Sequence, residues 1–329
     1  MNTMEAMLAS LPDQYRWAAD LTSPSLRAAT GALVCGMGGS GIAGDVAGAV
    51  AAGAPVFVRK GYGIPGWAER LRPLVVAVSY SGNTEETLSG VEAADRAGLA
   101  IAAVSSGGAL SRLARDHGWP LVEVPGGLQP RAAFGYLTGA VMRILESAGL
   151  VEETGLVEAA TVTDELLGAD LDGPGRRLAD DLAEGLAGRI TLIVASGSAA
   201  AAAYRWKTQI NENAKSPAFT TTIPETDHNE IVGWSTLGSA IRRTVGVVAL
   251  RDTHEPPRVG ARFEPTLGRL SEGASLVGEV WAQGEHPLAR IASLCVIGDM
   301  VSLRLARNAA VDPVPVEAIE VLKRELGET

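Results

Sequence analysis

The chain has 329 residues, more than the roughly 100 to 150 of one typical domain, so two domains are expected. With 47% hydrophobic and 20% charged residues it can bury a large core, which excludes intrinsic disorder. A net charge of -10, from 28 Lys and Arg against 38 Asp and Glu, opposes binding to nucleic acid and to anionic lipid. An anionic ligand must then be held by local geometry.

The opening MNTMEAMLASLPDQYRW reads as a helical lead-in. It has an acidic residue where a secretory leader would be basic, and no apolar core follows, so a cytoplasmic protein is expected. Apolar runs such as LVVAVSY and TLIVASG stop well short of the ~20 residues that cross a bilayer, so no membrane span is expected. Cys35 and Cys295, far apart in predicted core elements, read as small packing residues in a reducing compartment.

ALVCG opens the regular pattern as a strand that ends in Gly36, Met37, Gly38, Gly39, Ser40 and Gly41 and passes into a helix. Small residues there expose backbone N–H groups at a positive helix end, which suits phosphate. The same residues satisfy G-x-G-x-x-G, so a dinucleotide site is the rival reading. The following strand PVFVRKGYG offers Arg59 and Lys60 where an acidic ribose ligand would stand, which disfavours NAD and leaves NADP open.

The third strand, LVVAVSY, ends in a second hydroxyl-rich turn: Ser79, Tyr80, Ser81, Gly82, Asn83, Thr84. A dinucleotide fold does not need it, and its hydroxyls can bond a phosphate monoester without a lysine or a metal. The bland alternative is a helix cap, with Asn83 or Thr84 as N-cap and Asn83 and Glu86 as a capping-box-like pair. LAIAAVSS and PLVEVP continue the alternation, and a helix from about Arg131 to Ser147 closes the unit. Near-continuous apolar strands between helices predict α/β architecture with doubly wound, mainly parallel sheets. The boundary is expected near residue 152, with domains 1–152 and 153–329.

GRITLIVASGSAAAAAYRW repeats the strand, turn and helix of the first half, and suggests a duplicated architecture. The helix ends in NENAK, where Glu212 lies in the last turn. Burial and the negative helix end would raise its pKa and Lys215 would oppose this, although a solvated glutamate is the alternative. AFTTTIPE is a strand, and the turn-rich ETDHNE after it presents His228 for proton transfer or simply at the surface. TVGVVALR and SLVGEVWA are further strands, while PLARIASLCVIGDMVSLRLARNAA and PVEAIEVLKREL are helices by their spacing. His117, His254 and His286 read as surface residues, and Trp206 and Trp234 as packing groups. No metal-ligand cluster appears, so the chemistry is expected to need neither metal nor cofactor.

GMGGSG followed by SYSGNTEET resembles the phosphate site of SIS (sugar isomerase) domains. With NENAK and the P-E-x-x-H-N pattern, the chain is similar over most of its length to the bifunctional phosphoglucose/phosphomannose isomerases. The resemblance implies two SIS-type domains in which Ser40, Ser79, Ser81 and Thr84 hold the sugar phosphate beside Gly39. It implies Glu212 as the base that moves a proton between C1 and C2, and His228 as the group that opens the sugar ring. A PRAA segment matches Arg131 to an arginine that steadies the enediolate, and VLKREL matches Lys323 to an active-site lysine. It further implies a homodimer whose histidine comes from the partner subunit. One departure is Val316, which stands where the family has a threonine associated with mannose 6-phosphate. A non-catalytic phosphosugar sensor is the runner-up. An amidotransferase-like enzyme is a weaker third reading, because no Cys-first glutaminase segment is present.

Overall fold

The computed structural model describes residues 3–51, 53–236 and 241–327. Helices α1 (Thr3–Ala9) and α2 (Leu11–Ala19) precede β1 (Ala32–Cys35), α3 (Gly38–Val50), β2 (Val56–Arg59), α4 (Ala68–Leu71), β3 (Leu74–Val78), α5 (Glu85–Arg96), β4 (Ile101–Ser105), α6 (Gly108–His117), β5 (Leu121–Glu123) and α7 (Phe134–Ser147). The chain continues through α8 (Leu156–Leu167), α9 (Pro174–Leu186), β6 (Ile190–Ser196), α10 (Ala199–Asn213), β7 (Ala218–Ile223), α11 (Glu230–Thr236), β8 (Val245–Arg251), α12 (Pro257–Gly273), β9 (Ser275–Trp281), α13 (Pro287–Asn308) and α14 (Glu317–Glu325).

The strands form two sheets, ordered β2-β1-β3-β4-β5 and β7-β6-β8-β9. Every pairing is parallel. The second order repeats the first without its last strand, which is the duplication expected from the two strand-turn-helix openings. In β1, β3 and β4 every residue is buried, because helices cover both faces of the sheet. Leu33, Val75 and Ala77 join small clusters under α5 and α6, whereas Val34, Val76 and Val104 face α3 and α7 in the main core. The second sheet divides likewise: Leu192, Val247 and Ala249 pack on Phe263 and Leu267 of α12, and Ile193, Val248 and Leu250 face the main core.

That main core is continuous between the sheets and takes in α2, α3, α7, α8, α10 and α13. Its centre is the crossing of α10 and α13, where buried Trp206 donates from Nε1 to the Leu294 carbonyl at 2.7 Å. A Cβ at position 298 would lie 2.3 Å from the Trp206 ring, so Gly298 is what allows this approach. Cys35 and Cys295 are free and buried, and burial pushes the Cys35 thiol up to about 12. No helix among the described residues is long and apolar enough to cross a membrane.

Candidate active site

β1 and β3 are neighbours at the middle of the first sheet, and the chain leaves their carboxyl ends toward opposite faces, into α3 and α5. Ligands of doubly wound sheets bind at such a switch point. After β1, Gly38 takes a left-handed φ of +48° and Ser40 sits, largely buried, in the first turn of α3. After β3, Gly82 adopts φ +71°, and a Cβ there would lie 1.9 Å from the Gly107 carbonyl oxygen. The turn is therefore closed against the next one in the sheet.

Within that turn Ser79 Oγ lies 2.8 Å from Thr84 Oγ1 and accepts from the backbone N–H groups of Gly82 (3.1 Å) and Thr84 (3.4 Å). Ser79 is fully buried, so its hydroxyl supports the turn from beneath. Thr84 is the N-cap of α5, yet its side chain makes no capping bond. Asn83 Oδ1 accepts from Ala109 N of the neighbouring turn at 3.0 Å, which replaces the capping-box arrangement with Glu86. Gly39, Ser40, Ser81 and Thr84 line one end of a cleft of about 500 Å³, whose other walls include Gln129, Arg131, Glu212, Val316 and Lys323.

Arg131 and Glu212 meet across the floor of this cleft, Nη1 to Oε2 at 3.7 Å. Arg131 is almost wholly buried: Nε donates to Asn213 Oδ1 at 2.8 Å, and Nη2 donates to the carbonyls of Pro313 (2.7 Å) and Val314 (3.0 Å). Beneath it Arg205 Nη2 donates to the Arg131 carbonyl at 3.1 Å and to Asp299 Oδ2 at 2.7 Å, with its guanidinium 4.0 Å from the Phe134 ring centroid. Asn213 is fixed in turn by Ser302 Oγ at 2.9 Å. Burial raises the Glu212 carboxyl above its ordinary value, opposed by Arg131, Arg205 and Lys215 in that order. Two of these three cations come from contacts the local sequence did not display.

Val316, the N-cap of α14, and Lys323 within that helix line the cleft together with Ile319, Leu322 and the adjacent Leu326. His228 does not enter it. It ends a short 3-10 turn, Glu225–His228, beyond β7 and is exposed, while neighbouring Asp227 is held by Arg262 (2.8 Å) and Thr266 (2.6 Å). His117 and His254 are exposed as expected. His286, expected at the surface, is instead half-buried as the N-cap of α13, its Nδ1 accepting from Leu288 N at 3.1 Å.

The cationic residues that kept NADP open are engaged elsewhere: Arg59 donates to the Tyr62 carbonyl, and Lys60 pairs with Asp45 and lies 4.0 Å from the Tyr204 ring centroid. The motif reading passed over Gln129 in the cleft wall, and Tyr80, counted there only as part of the hydroxyl-rich turn, bridges the Pro125 carbonyl and Leu128 N at 3.0 Å each, steadying the loop that leads to Arg131. Trp206 and Trp234 are packing groups. Among the described residues no group of three or more His, Cys, Asp or Glu is placed to hold a metal ion.

Residues 176–326 match the family model described as the bacterial phospho-glucose isomerase C-terminal SIS domain. The fold is similar to that of the crystal structure of tagatose-6-phosphate ketose/aldose isomerase from Escherichia coli, with a TM-score of 0.70 at 14% identity over 95% of this chain and 94% of that one. Fold and family model thus define a protein of the SIS class, with its glycine- and hydroxyl-bearing turns at the switch point of the first sheet.

Sequence comparison is more specific. The chain is 36% identical over 321 residues to a bifunctional phosphoglucose/phosphomannose isomerase of Aquifex aeolicus, covering 95% of each. It is 37% identical over 321 residues to one of Thermoplasma acidophilum, covering 97% of this chain and 96% of the relative. The chain belongs to the bifunctional phosphoglucose/phosphomannose isomerase family.

Proposed function

We propose that the chain is an aldose–ketose isomerase that interconverts glucose 6-phosphate and fructose 6-phosphate, and mannose 6-phosphate less efficiently, through a cis-enediolate. The observation that carries this reading is the Arg131–Glu212 pair on the floor of a cleft whose far end is lined by Gly39, Ser40, Ser81 and Thr84. Neutral hydroxyls and N–H groups at a helix start bind a phosphate dianion without reliance on net charge. With the phosphate there, Ser79 acts by holding Thr84 in place.

Glu212 takes the proton from C2 of the open-chain aldose and returns it to C1, while the proton on O2 passes to O1, so that the carbonyl moves from C1 to C2. The enediolate formed between these steps is anionic, and buried Arg131 lies beside the base to stabilise it. Lys323 adds a second cation from α14. Glu212 also lines a second cleft of about 480 Å³, with Asn211, Lys215 and Val316. That opening leaves room for a group from outside the chain, and we assign it to the partner subunit's His228 as the ring-opening acid of a homodimer. In this scheme residues 1–152 carry the phosphate turns and Arg131, and residues 153–329 carry Glu212, His228 and Lys323. The two buried, free cysteines fit a cytoplasmic setting.

The test is a coupled assay that presents fructose 6-phosphate and reads glucose 6-phosphate and mannose 6-phosphate separately. The isomerase reading predicts turnover to both, with glucose 6-phosphate in excess. Tight binding of fructose 6-phosphate with no turnover would instead establish the sensor.

A further inference from the structure

We propose that Lys215 is a positioning residue that clips the segment Asp312–Val316, and through it α14, to the turn bearing Glu212. Nine residues form α14 and none is buried, although Lys323, Ile319, Leu322 and the adjacent Leu326 line the active-site cleft. The placement of this helix therefore depends on the segment that leads into it. Pro313 and Pro315 have no N–H and the Val314 N–H is taken up within the segment by Asp312 Oδ1 at 2.9 Å, so the outward handles are its carbonyls. Two cations hold them: Arg131 takes Pro313 and Val314, and Lys215 Nζ takes Pro315 at 2.6 Å and Pro313 at 3.4 Å.

Lys215 also donates to the Glu212 carbonyl at 2.5 Å, so one ammonium joins the main chain of the proposed base to the residue before Val316. Its backbone makes the placement more informative. With φ +54°, Lys215 occupies the left-handed position just beyond α10, where glycine is the ordinary occupant. A lysine at this position makes three side-chain bonds that a glycine could not. The cation at the carbonyl end of α10 is also favoured by the helix dipole.

The kinetic part of this inference rests on the isomerase reading, whereas hydrogen exchange does not. Lys215→Gly suits the backbone and should fold, and Lys215→Met serves as a second variant that keeps the aliphatic stem. In both, amides of residues 314–325 should exchange about tenfold faster than in the parent, with α10 and both sheets unchanged. kcat/KM for fructose 6-phosphate should fall about ten- to a hundredfold, chiefly in kcat, and Lys215→Arg should restore it to within about threefold. Because Lys215 acts through α14, adding Lys215→Gly to Lys323→Met should cost less than about twofold beyond Lys323→Met alone. Unchanged exchange in 314–325 overturns the proposal, as does full multiplication of the two kinetic effects. Faster exchange in a protein whose parent shows no isomerisation would uphold the clip and sink the isomerase.

Discussion

Glu212 is the proposed base, and its surroundings set two expectations. Glu212→Gln keeps the shape but cannot accept a carbon-bound proton, so kcat should fall about 10²- to 10⁴-fold with KM for fructose 6-phosphate little changed. Near-full activity in steady-state assays would remove Glu212 from the base role. Burial raises the folded-state pKa of this carboxyl above its ordinary value. Above the raised pKa the charged form is carried at a cost in the folded state, and below the ordinary pKa the group is protonated folded and unfolded alike. Glu212→Gln should therefore have a higher Tm than the parent at neutral pH, with the advantage shrinking as pH falls through the raised pKa. A Tm difference of opposite sign at pH 7 would contradict this.

Val316 is the residue proposed to set the epimer preference, at the same scale. It matches the volume of threonine but offers a methyl in place of a hydroxyl, and a neutral hydrogen bond is worth roughly 0.5–1.5 kcal/mol. Val316→Thr should raise kcat/KM for mannose 6-phosphate over that for glucose 6-phosphate by up to about tenfold, and equal ratios in both proteins would refute the assignment. The place of Glu212 in the last turn of α10 was legible in the sequence, whereas its role as base was implied only by the family resemblance. Its partnership with Arg131 was not, since the residues are far apart in sequence and meet only when α10 packs beside the turn Pro130–Ala132. The same holds for Arg205 and Asp299, a buried pair joining α10 to α13 with no local signal in either helix.

At the scale of elements, the turns after β1 and β3 form the proposed phosphate site. Ser81→Ala and Thr84→Ala each delete a hydroxyl at the cleft wall, and a hydrogen bond to a charged group is worth roughly 1.5–3 kcal/mol. KM for the sugar phosphate should rise about ten- to a hundredfold in each variant with little loss of fold, and unchanged KM values would place the phosphate elsewhere. The strands were legible because buried parallel strands are apolar on both faces, and their ends were marked by glycine and serine. Asn83 was not. Its local pattern fits a cap, but the neighbouring turn presents the Ala109 N–H at 3.0 Å, and this tertiary partner takes the side chain. His286 was misread for a related reason: a histidine before proline and an apolar run looked exposed, whereas it caps the longest helix among the described residues.

Across the whole molecule, the duplicated strand order was visible in the repeated strand-turn-helix openings, while the single core between the sheets was not, because it is made by helices from both halves. His228 lies outside the cleft of its own chain, so the proposed mechanism needs two subunits. Glu212→Gln and His228→Asn, each inactive alone, should regain activity when subunits are reassorted. Random exchange makes half the dimers mixed, each with one intact site, so about a quarter of parental activity should return. No recovery between variants that demonstrably exchange subunits would place His228 outside the shared site.

Proton transfer by Glu212 is the centre of the account, and isotope exchange reads it directly. Fructose 6-phosphate incubated with the protein in deuterated water and followed by NMR should yield glucose 6-phosphate, part of it carrying deuterium at C2, because the proton held by the carboxyl exchanges with solvent before its return. Under the same conditions Glu212→Gln should bind the sugar and leave it unlabelled. Aldose formed with no deuterium at C2, or labelling undiminished in Glu212→Gln, would contradict the mechanism.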